Sequence, residues 1–193
     1  MTAIAPIQII QLHSEADFQP YLQSFASAYK MVFSSAPYNE DFSLADALQI
    51  AEFHMQSSKQ ITFLALNGQN EVVGFGLGST LRNYPEISRQ VRGLLPPKHT
   101  HYFAELGVIP EYRQQGLGRI LTQRYIESLN PSLFHHIVMR ISATPDPGFN
   151  MFKQMGFDDI GVYTEITAKR IDGSTTNDRR LFLSRLVNPD DNA

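Results

Sequence analysis

A strand that runs through a glycine-bearing turn into an amphipathic helix leaves a chain few folds to choose from, and this sequence contains one near its middle. Thr100 to Ile109 reads as a long strand stopped by Pro110. Gly116 to Leu129 places Leu117, Ile120, Leu121, Tyr125 and Leu129 near the helical period and ends at Asn130-Pro131. Between them lies Glu111-Tyr112-Arg113-Gln114-Gln115-Gly116-Leu117-Gly118-Arg119. A helix start leaves backbone N–H groups without intrahelical partners, and the helix dipole adds partial positive charge at the same point. Gly116 and Gly118 carry no Cβ, so an anion can approach the main chain, and Arg113 and Arg119 add charge. A lone G-x-G is just a convenient helix start; with a strand before, a helix after and basic flanks, the stretch reads as a seat for a phosphate or pyrophosphate.

The rest of the chain predicts alternating elements around that turn. Ile7 to Leu12 is a short strand, and Ser14-Glu15-Ala16-Asp17 caps a helix carrying Phe18, Leu22, Phe25 and Tyr29. A loop from Ser34 to Phe42 leads to a second helix that starts at Ser43 with Asp46 and has an apolar stripe from Leu44 to Ala51. Ile61 to Leu66 and Glu71 to Thr80 form a hairpin, followed by a surface connection from Tyr84 to Lys98 that contains a short helix. After the central helix come a buried strand, Phe134 to Ser142, and a short helix, Phe149 to Met155, closed by Gly156. A final hairpin pairs Ile160 to Ile171 with Arg180 to Val187 across a polar turn, Asp172 to Asp178, and the tail from Asn188 to Ala193 is expected to fray.

Composition removes several function classes. The 193 residues include no Cys, which excludes disulfides, thiolate metal sites and a cysteine nucleophile. Sixteen Lys and Arg against 19 Asp and Glu give a net charge of -3, without the broad basic footprint of a nucleic-acid binder. The start, MTAIAPIQIIQLH, has neither a basic n-region nor a long apolar h-region, and no apolar run reaches membrane-spanning length. The expectation is one cytoplasmic globular domain over 1–193, large enough to build its core unaided. His99, His101, His135 and His136 lack a third ligand at matching spacing, so no metal is expected. Gly74-Phe75-Gly76-Leu77-Gly78 is followed by no helix and reads as a strand with close backbone neighbours. Ser142 has no G-x-S-x-G turn around it, and a kinase-type loop would need Lys and Ser or Thr where Arg119-Ile120 stand.

The central turn resembles that of the GNAT superfamily of acyl-CoA-dependent N-acetyltransferases, whose pyrophosphate loop reads Arg or Gln, two residues, Gly, one residue, Gly or Ala. Arg113-Gln114-Gln115-Gly116-Leu117-Gly118 matches at every fixed position. The approach Glu105-Leu106-Gly107-Val108-Ile109-Pro110 is similar to the family's central strand, and Phe152-Lys153-Gln154-Met155-Gly156-Phe157 to its closing motif. The resemblance covers essentially the whole chain. It implies an α/β (α+β) fold with a mixed, twisted, largely antiparallel sheet of about seven strands, splayed in the middle and flanked by about four helices.

It further implies acetyl-CoA as co-substrate, with the pyrophosphate on Arg113, Gln114, Gln115, Gly116, Leu117, Gly118 and Arg119. The pantetheine arm would lie along Leu106, Gly107 and Val108 in the splay, and Phe152 would border the cofactor. Direct attack of an amine on the thioester needs proximity, a deprotonated amine and a stabilised oxyanion. Glu105 is the candidate base, the alternative being an ion-paired strand carboxylate. Where many family members carry a tyrosine acid, this chain has Phe152, and an Asn frequent earlier in that motif is replaced within Thr144-Pro145-Asp146-Pro147. Tyr163 is a substitute acid or a half-buried sheet aromatic. Tyr38 and Glu40, with Asp41, form either an acceptor wall for a cationic amine or a polar surface loop. The expected partner is a small-molecule amine, and a homodimer through edge strands is a further expectation. The rival readings are a CoA-binding module without transfer activity, motivated by Phe152, and acetylation of a protein or peptide amine.

Overall fold

The strands expected from the apolar runs all join one sheet. The structure is a computed structural model that describes residues 6–143, 147–188 and 191. Its strands are β1 (Gln8–Leu12), β2 (Ile61–Leu66), β3 (Val72–Thr80), β4 (Thr100–Val108), β5 (His136–Ser142), β6 (Asp158–Lys169) and β7 (Thr175–Leu186), in the spatial order β1-β2-β3-β4-β5-β7-β6. Every neighbouring pair is antiparallel except β4 and β5. That parallel step needs a crossover, supplied by the helix after the glycine turn.

The helices are α1 (Glu15–Phe18), α2 (Leu22–Ser34), α3 (Leu44–Gln56), α4 (Pro85–Gln90), α5 (Leu117–Glu127) and α6 (Pro147–Gln154). Four of them, α2, α3, α5 and α6, have eight residues or more. Ser14 with Asp17 and Ser43 with Asp46 form the reciprocal capping boxes that their spacing predicts. One helix was expected from Ser14 onward, but Pro20 cannot donate a backbone hydrogen bond. The chain passes instead from α1 through a 3₁₀ turn, Gln19–Tyr21, into α2.

Strands β2 and β3 are buried along their whole length because helices cover both faces. On one face α5 and α6 pack Leu121, Tyr125 and Phe152 against Phe63 and Phe103. On the other, α2 and α3 pack Phe25, Tyr29 and Ala47 against Phe75 and Leu77. The glycines of β3 serve close approach, as their strand reading predicts. A Cβ on Gly78 would fall on the Tyr125 hydroxyl and the Tyr102 carbonyl. The four histidines set aside as metal ligands are used in packing or left near the surface, and His99 and His101, two residues apart, do not share a strand face. Instead His99 precedes β4 and stacks on His135 at 4.8 Å, while His101 is buried between Tyr125 and the Lys59 carbonyl.

The last hairpin differs from expectation. Its turn was placed at Asp172 to Asp178, but β7 begins at Thr175. Arg170 N–H donates to the Ser174 carbonyl at 2.8 Å, Asp172 Oδ1 accepts from Ser174 N–H, and Gly173 takes φ +83, so the chain reverses three residues sooner. In the tail, Asp191 accepts from Arg185 and from the Asn188 N–H; the rest of the expected frayed segment lies outside the described residues.

Candidate active site

The two parallel strands separate in mid-course. β4 pairs with β5 only from Thr100 opposite His136 to Phe103 opposite Met139. Beyond that point β4 continues against β3 to Val108, and β5 continues against β7 to Ser142. The β4 edge from Ala104 to Val108 therefore faces an opening with no strand partner. A cleft of about 870 Å³ fills the opening and extends under α2 and α3.

An irregularity in β4 aims Glu105 into this cleft. Leu77 faces Glu105 and Gly78 faces Phe103, so Ala104 is an extra residue, a β-bulge. Without it Glu105 would share the face of Phe103 and point at α5. With it Glu105 joins Tyr102 on the α2 face and lines the cleft. Tyr29 Oη donates to Glu105 Oε2 at 3.3 Å. Burial raises the Glu105 pKa to about 7, and the Glu40 charge pushes the same way; Arg140, the Tyr29 hydrogen bond and Arg180 pull against them. A carboxyl poised there is suited to accept a proton near neutral pH. Tyr29→Phe removes the hydrogen bond that favours the carboxylate, so the pH at which kcat/KM reaches half its plateau should rise by about 0.5 to 1 unit. A pH–rate profile that does not move would remove Tyr29 from this role.

The glycine turn stands at the far end of the same edge. Gln114 and Gly116 take φ +59 and +81, which swings the chain into α5. No side chain caps this helix, and the Ile120 N–H is the first to close on the turn, reaching the Gly116 carbonyl at 3.1 Å. The amides of Leu117, Gly118 and Arg119 thus precede the first internal donor. A Cβ on Gly118 would lie 3.9 Å from Val108 Cγ2 and 4.0 Å from Met151 Sδ, so the helix start abuts both the strand end and α6.

Arg113 was expected to add charge at this seat. Its guanidinium keeps its charge beside the turn and donates to three carbonyls: Val108 at 2.9 Å through Nε, Ala36 at 2.6 Å through Nη1 and Val32 at 3.2 Å through Nη2. It ties the turn to β4 and to the end of α2. Gln115 bonds back to the Glu111 carbonyl at 3.0 Å, and Arg119 reaches Gln154 at 3.4 Å. Leu117 is buried in the core below the turn. Gly107 is required by packing, since a Cβ there would enter the Phe75 ring. Leu106 lines the cleft, as does Phe152, which is 4% exposed and packs edge-on to Phe157.

On the acceptor side, two expectations change. Tyr38 and Glu40 do line the cleft, but Glu40 already accepts from Arg180 at 2.7 Å with Arg170 4.0 Å away. A carboxylate so paired is not an open seat for a cation; Arg170, just past the end of β6, and Arg180 on β7 hold it. Asp41 likewise pairs with Lys169 at 2.9 Å. Tyr163 is not brought to the cleft. It lies on the edge strand β6, 57% exposed, with the Arg179 guanidinium 4.4 Å over its ring. The replaced Asn of the closing motif falls at 144–146, outside the described residues.

Sequence reasoning passed over Tyr29, Arg140 and Arg180, all of which line the cleft beside Glu105. Arg140 carried a usable signal, a charge within the apolar run Ile137 to Ile141. Tyr29 carried none, since it sits in the apolar stripe of its helix. Among the described residues no group of three or more His, Asp or Glu side chains is placed to hold a metal ion, and no helix is long and apolar enough to cross a membrane.

Comparison with known proteins agrees with this architecture. The model of the acetyltransferase (GNAT) family matches residues 20–157. Among solved structures, a candidate acetyltransferase from Acinetobacter baylyi superposes with TM-score 0.71 at 15% identity, covering 96% of this chain and 94% of that one. The ribosomal-protein-alanine N-acetyltransferase from Brucella melitensis gives TM-score 0.66 at 16% identity over 92% and 99% of the two chains. A candidate phosphinothricin N-acetyltransferase gives 0.64 at 16% over 95% and 99%. No curated protein sequence matches the chain. The family match spans the splayed strand pair, the glycine turn and the closing motif together, and on that ground the chain belongs to the GNAT family and is an acetyltransferase.

Proposed function

We propose that this enzyme transfers the acetyl group of acetyl-CoA directly to the amine of a small molecule, with Glu105 as the base. The observation that carries the reading is the bulge at Ala104, which puts a carboxyl with a pKa of about 7 beside an unpaired strand edge. The residues suit the co-substrate. The uncapped amides of Leu117, Gly118 and Arg119 meet the need of a pyrophosphate for N–H donors, and the strand edge from Leu106 to Val108 offers main-chain groups to a pantetheine arm, the Val108 carbonyl already accepting from Arg113.

In the transfer the amine nitrogen attacks the thioester carbonyl, the C–N bond forms, the C–S bond breaks and the thiolate departs. An alkyl ammonium has a pKa of about 10, so it must first lose a proton, and Glu105 accepts it. A thiolate whose conjugate acid has a pKa of about 8.5 leaves without prior protonation and then takes up the second proton that the acylated nitrogen sheds, giving the free thiol and the amide, which accommodates a phenylalanine at position 152. A small acceptor is favoured by the strap over the cleft. The loop after α2 is laced to the last hairpin by Asp41 N–H to the Lys169 carbonyl at 2.8 Å and Ile171 N–H to the Asn39 carbonyl at 3.0 Å.

Acetyl-CoA-dependent thiol release across polyamines, aminoglycosides, amino acids, arylamines and short peptides tests the reading. Release with one small-amine class is expected; release with peptides alone would overturn the small-molecule acceptor. A second expectation concerns the turn. Arg113→Ala removes three ties between turn, strand and helix and should weaken acetyl-CoA binding about tenfold or more by calorimetry. Unchanged affinity would show that the turn holds its shape without them.

A further inference from the structure

The wall of the cleft across the splay from Glu105 holds guanidinium groups that its own carboxylates do not use up. β5 and β7 pair with Arg140 opposite Phe182 and Ser142 opposite Arg180, so Arg140, Ser142 and Arg180 stand on one face of the sheet. All three line the cleft that holds Glu105. Arg180 spends Nη2 on Glu40 at 2.7 Å and on Asp178 at 3.3 Å. Arg170 pairs with the same two carboxylates, so these four charges balance. What remains is the Arg180 Nε, buried with no hydrogen-bond partner among the described residues, and Arg140, which hydrogen-bonds Tyr102 and lies within electrostatic reach of Glu105 but forms no direct ion pair among the described residues. A buried N–H left unpaired is destabilising, and an arginine interrupting an apolar strand carries a desolvation cost of its own.

We propose that Arg140 and the Nε of Arg180 form a carboxylate subsite for the acceptor, so that the amine acetylated here belongs to a small zwitterion of the amino-acid class. The proposal rests on the small-molecule reading above and narrows it. The two sides of the splay are complementary to such a molecule. Glu105 on β4 faces the ammonium, and the arginines on β5 and β7 face the carboxylate. A guanidinium presents a planar fork of N–H donors that a carboxylate matches with two parallel hydrogen bonds. A polypeptide N-terminus has a neutral amide where the amino acid has its carboxylate, so the subsite also rejects peptides.

The test compares matched acceptors by thiol release in the unaltered protein: amino acids, their amides and the corresponding decarboxylated amines. The expected result is kcat/KM about 100-fold higher for the carboxylate-bearing member of each set. Arg140→Gln also removes a charge that favours the Glu105 carboxylate, so the two enzymes are compared on the alkaline plateau of each, where the variant should lose most of the acid-to-amide ratio, mainly through KM for the amino acid. Arg140→Lys, which keeps the charge but loses the fork, should fall between. Equal turnover of acids and amides overturns the subsite and leaves the small-amine reading standing, as does an Arg140→Gln enzyme that slows both alike, the mark of an arginine that serves only Glu105. Release with no member of the panel overturns both. Should Arg140→Gln fail to fold, the ratio in the unaltered protein still decides.

Discussion

Glu105→Gln should lower kcat/KM for acetyl transfer by about 10²- to 10⁴-fold while leaving acetyl-CoA affinity near its original value, because it removes the proposed proton acceptor and preserves the shape of the strand. The pH dependence gives the second signature. With burial holding the carboxyl at about 7, kcat/KM of the unaltered enzyme should climb through that value as Glu105 ionises, and this limb should vanish in the variant. Stability gives the third. The folded-state pKa lies above the unfolded value of 4.5, so the protonated form is the one the fold prefers, and the fold loses stability as pH rises from about 4.5 through about 7. The glutamine cannot ionise, so at pH 8 the variant should be the more stable protein, by on the order of 1 to 3 kcal/mol in urea unfolding. An enzyme crippled in turnover yet harder to unfold is what a base held against its solvation preference predicts. Unchanged turnover would strike Glu105 from the chemistry.

Gly78→Ala should destabilise the fold by about 3 kcal/mol or more, the largest stability effect expected of a single methyl group in this protein. The added carbon would land on the Tyr102 carbonyl, which is backbone and cannot step aside, and on the Tyr125 hydroxyl. That hydroxyl anchors a buried chain. His101 Nε2 faces the Lys59 carbonyl at 2.9 Å, so it must carry the proton, and His101 Nδ1 accepts from Tyr125 Oη at 2.9 Å. Burial holds this histidine neutral, with its pKa lowered to about 4. Pushing the hydroxyl away leaves Nδ1 without its donor in a dry core, which adds to the steric cost. Urea midpoints for Gly78→Ala, Tyr125→Phe and the double variant separate the two contributions, and the double variant should cost less than the sum. A loss below about 1 kcal/mol for Gly78→Ala would mean that the sheet yields there.

Much of this enzyme was legible from local chemistry. The strands that bury both faces are runs of apolar residues, and the capped helices begin where Ser14 and Ser43 meet an aspartate three residues on. The turn at Gly116 was visible because its backbone dihedrals and its function ask for the same residues. Where local signals competed, the reading slipped: Pro20 broke a periodic helix, and Asp172 to Asp178 looked like a polar turn although four of its residues belong to β7. Polarity there reports an edge hairpin, whose outer residues meet water whether paired or not.

The site divides along the same line. That a carboxylate would stand on the central strand, near the turn that marks the co-substrate, follows from sequence order alone, because a strand and the helix behind it keep their neighbours. Which way Glu105 points does not follow. A single extra residue at Ala104 turns it from one face of the sheet to the other, and a bulge is settled by pairing with β3, not by the residues that form it. The same holds for Glu40, which is acidic in any conformation but closed to a ligand once Arg180 from a strand 140 residues away takes its oxygen. Residue type and spacing thus determined the fold and the kind of chemistry. Tertiary structure alone decided which charges remain available, since the neutralisation of a buried charge depends on whatever the rest of the chain brings beside it.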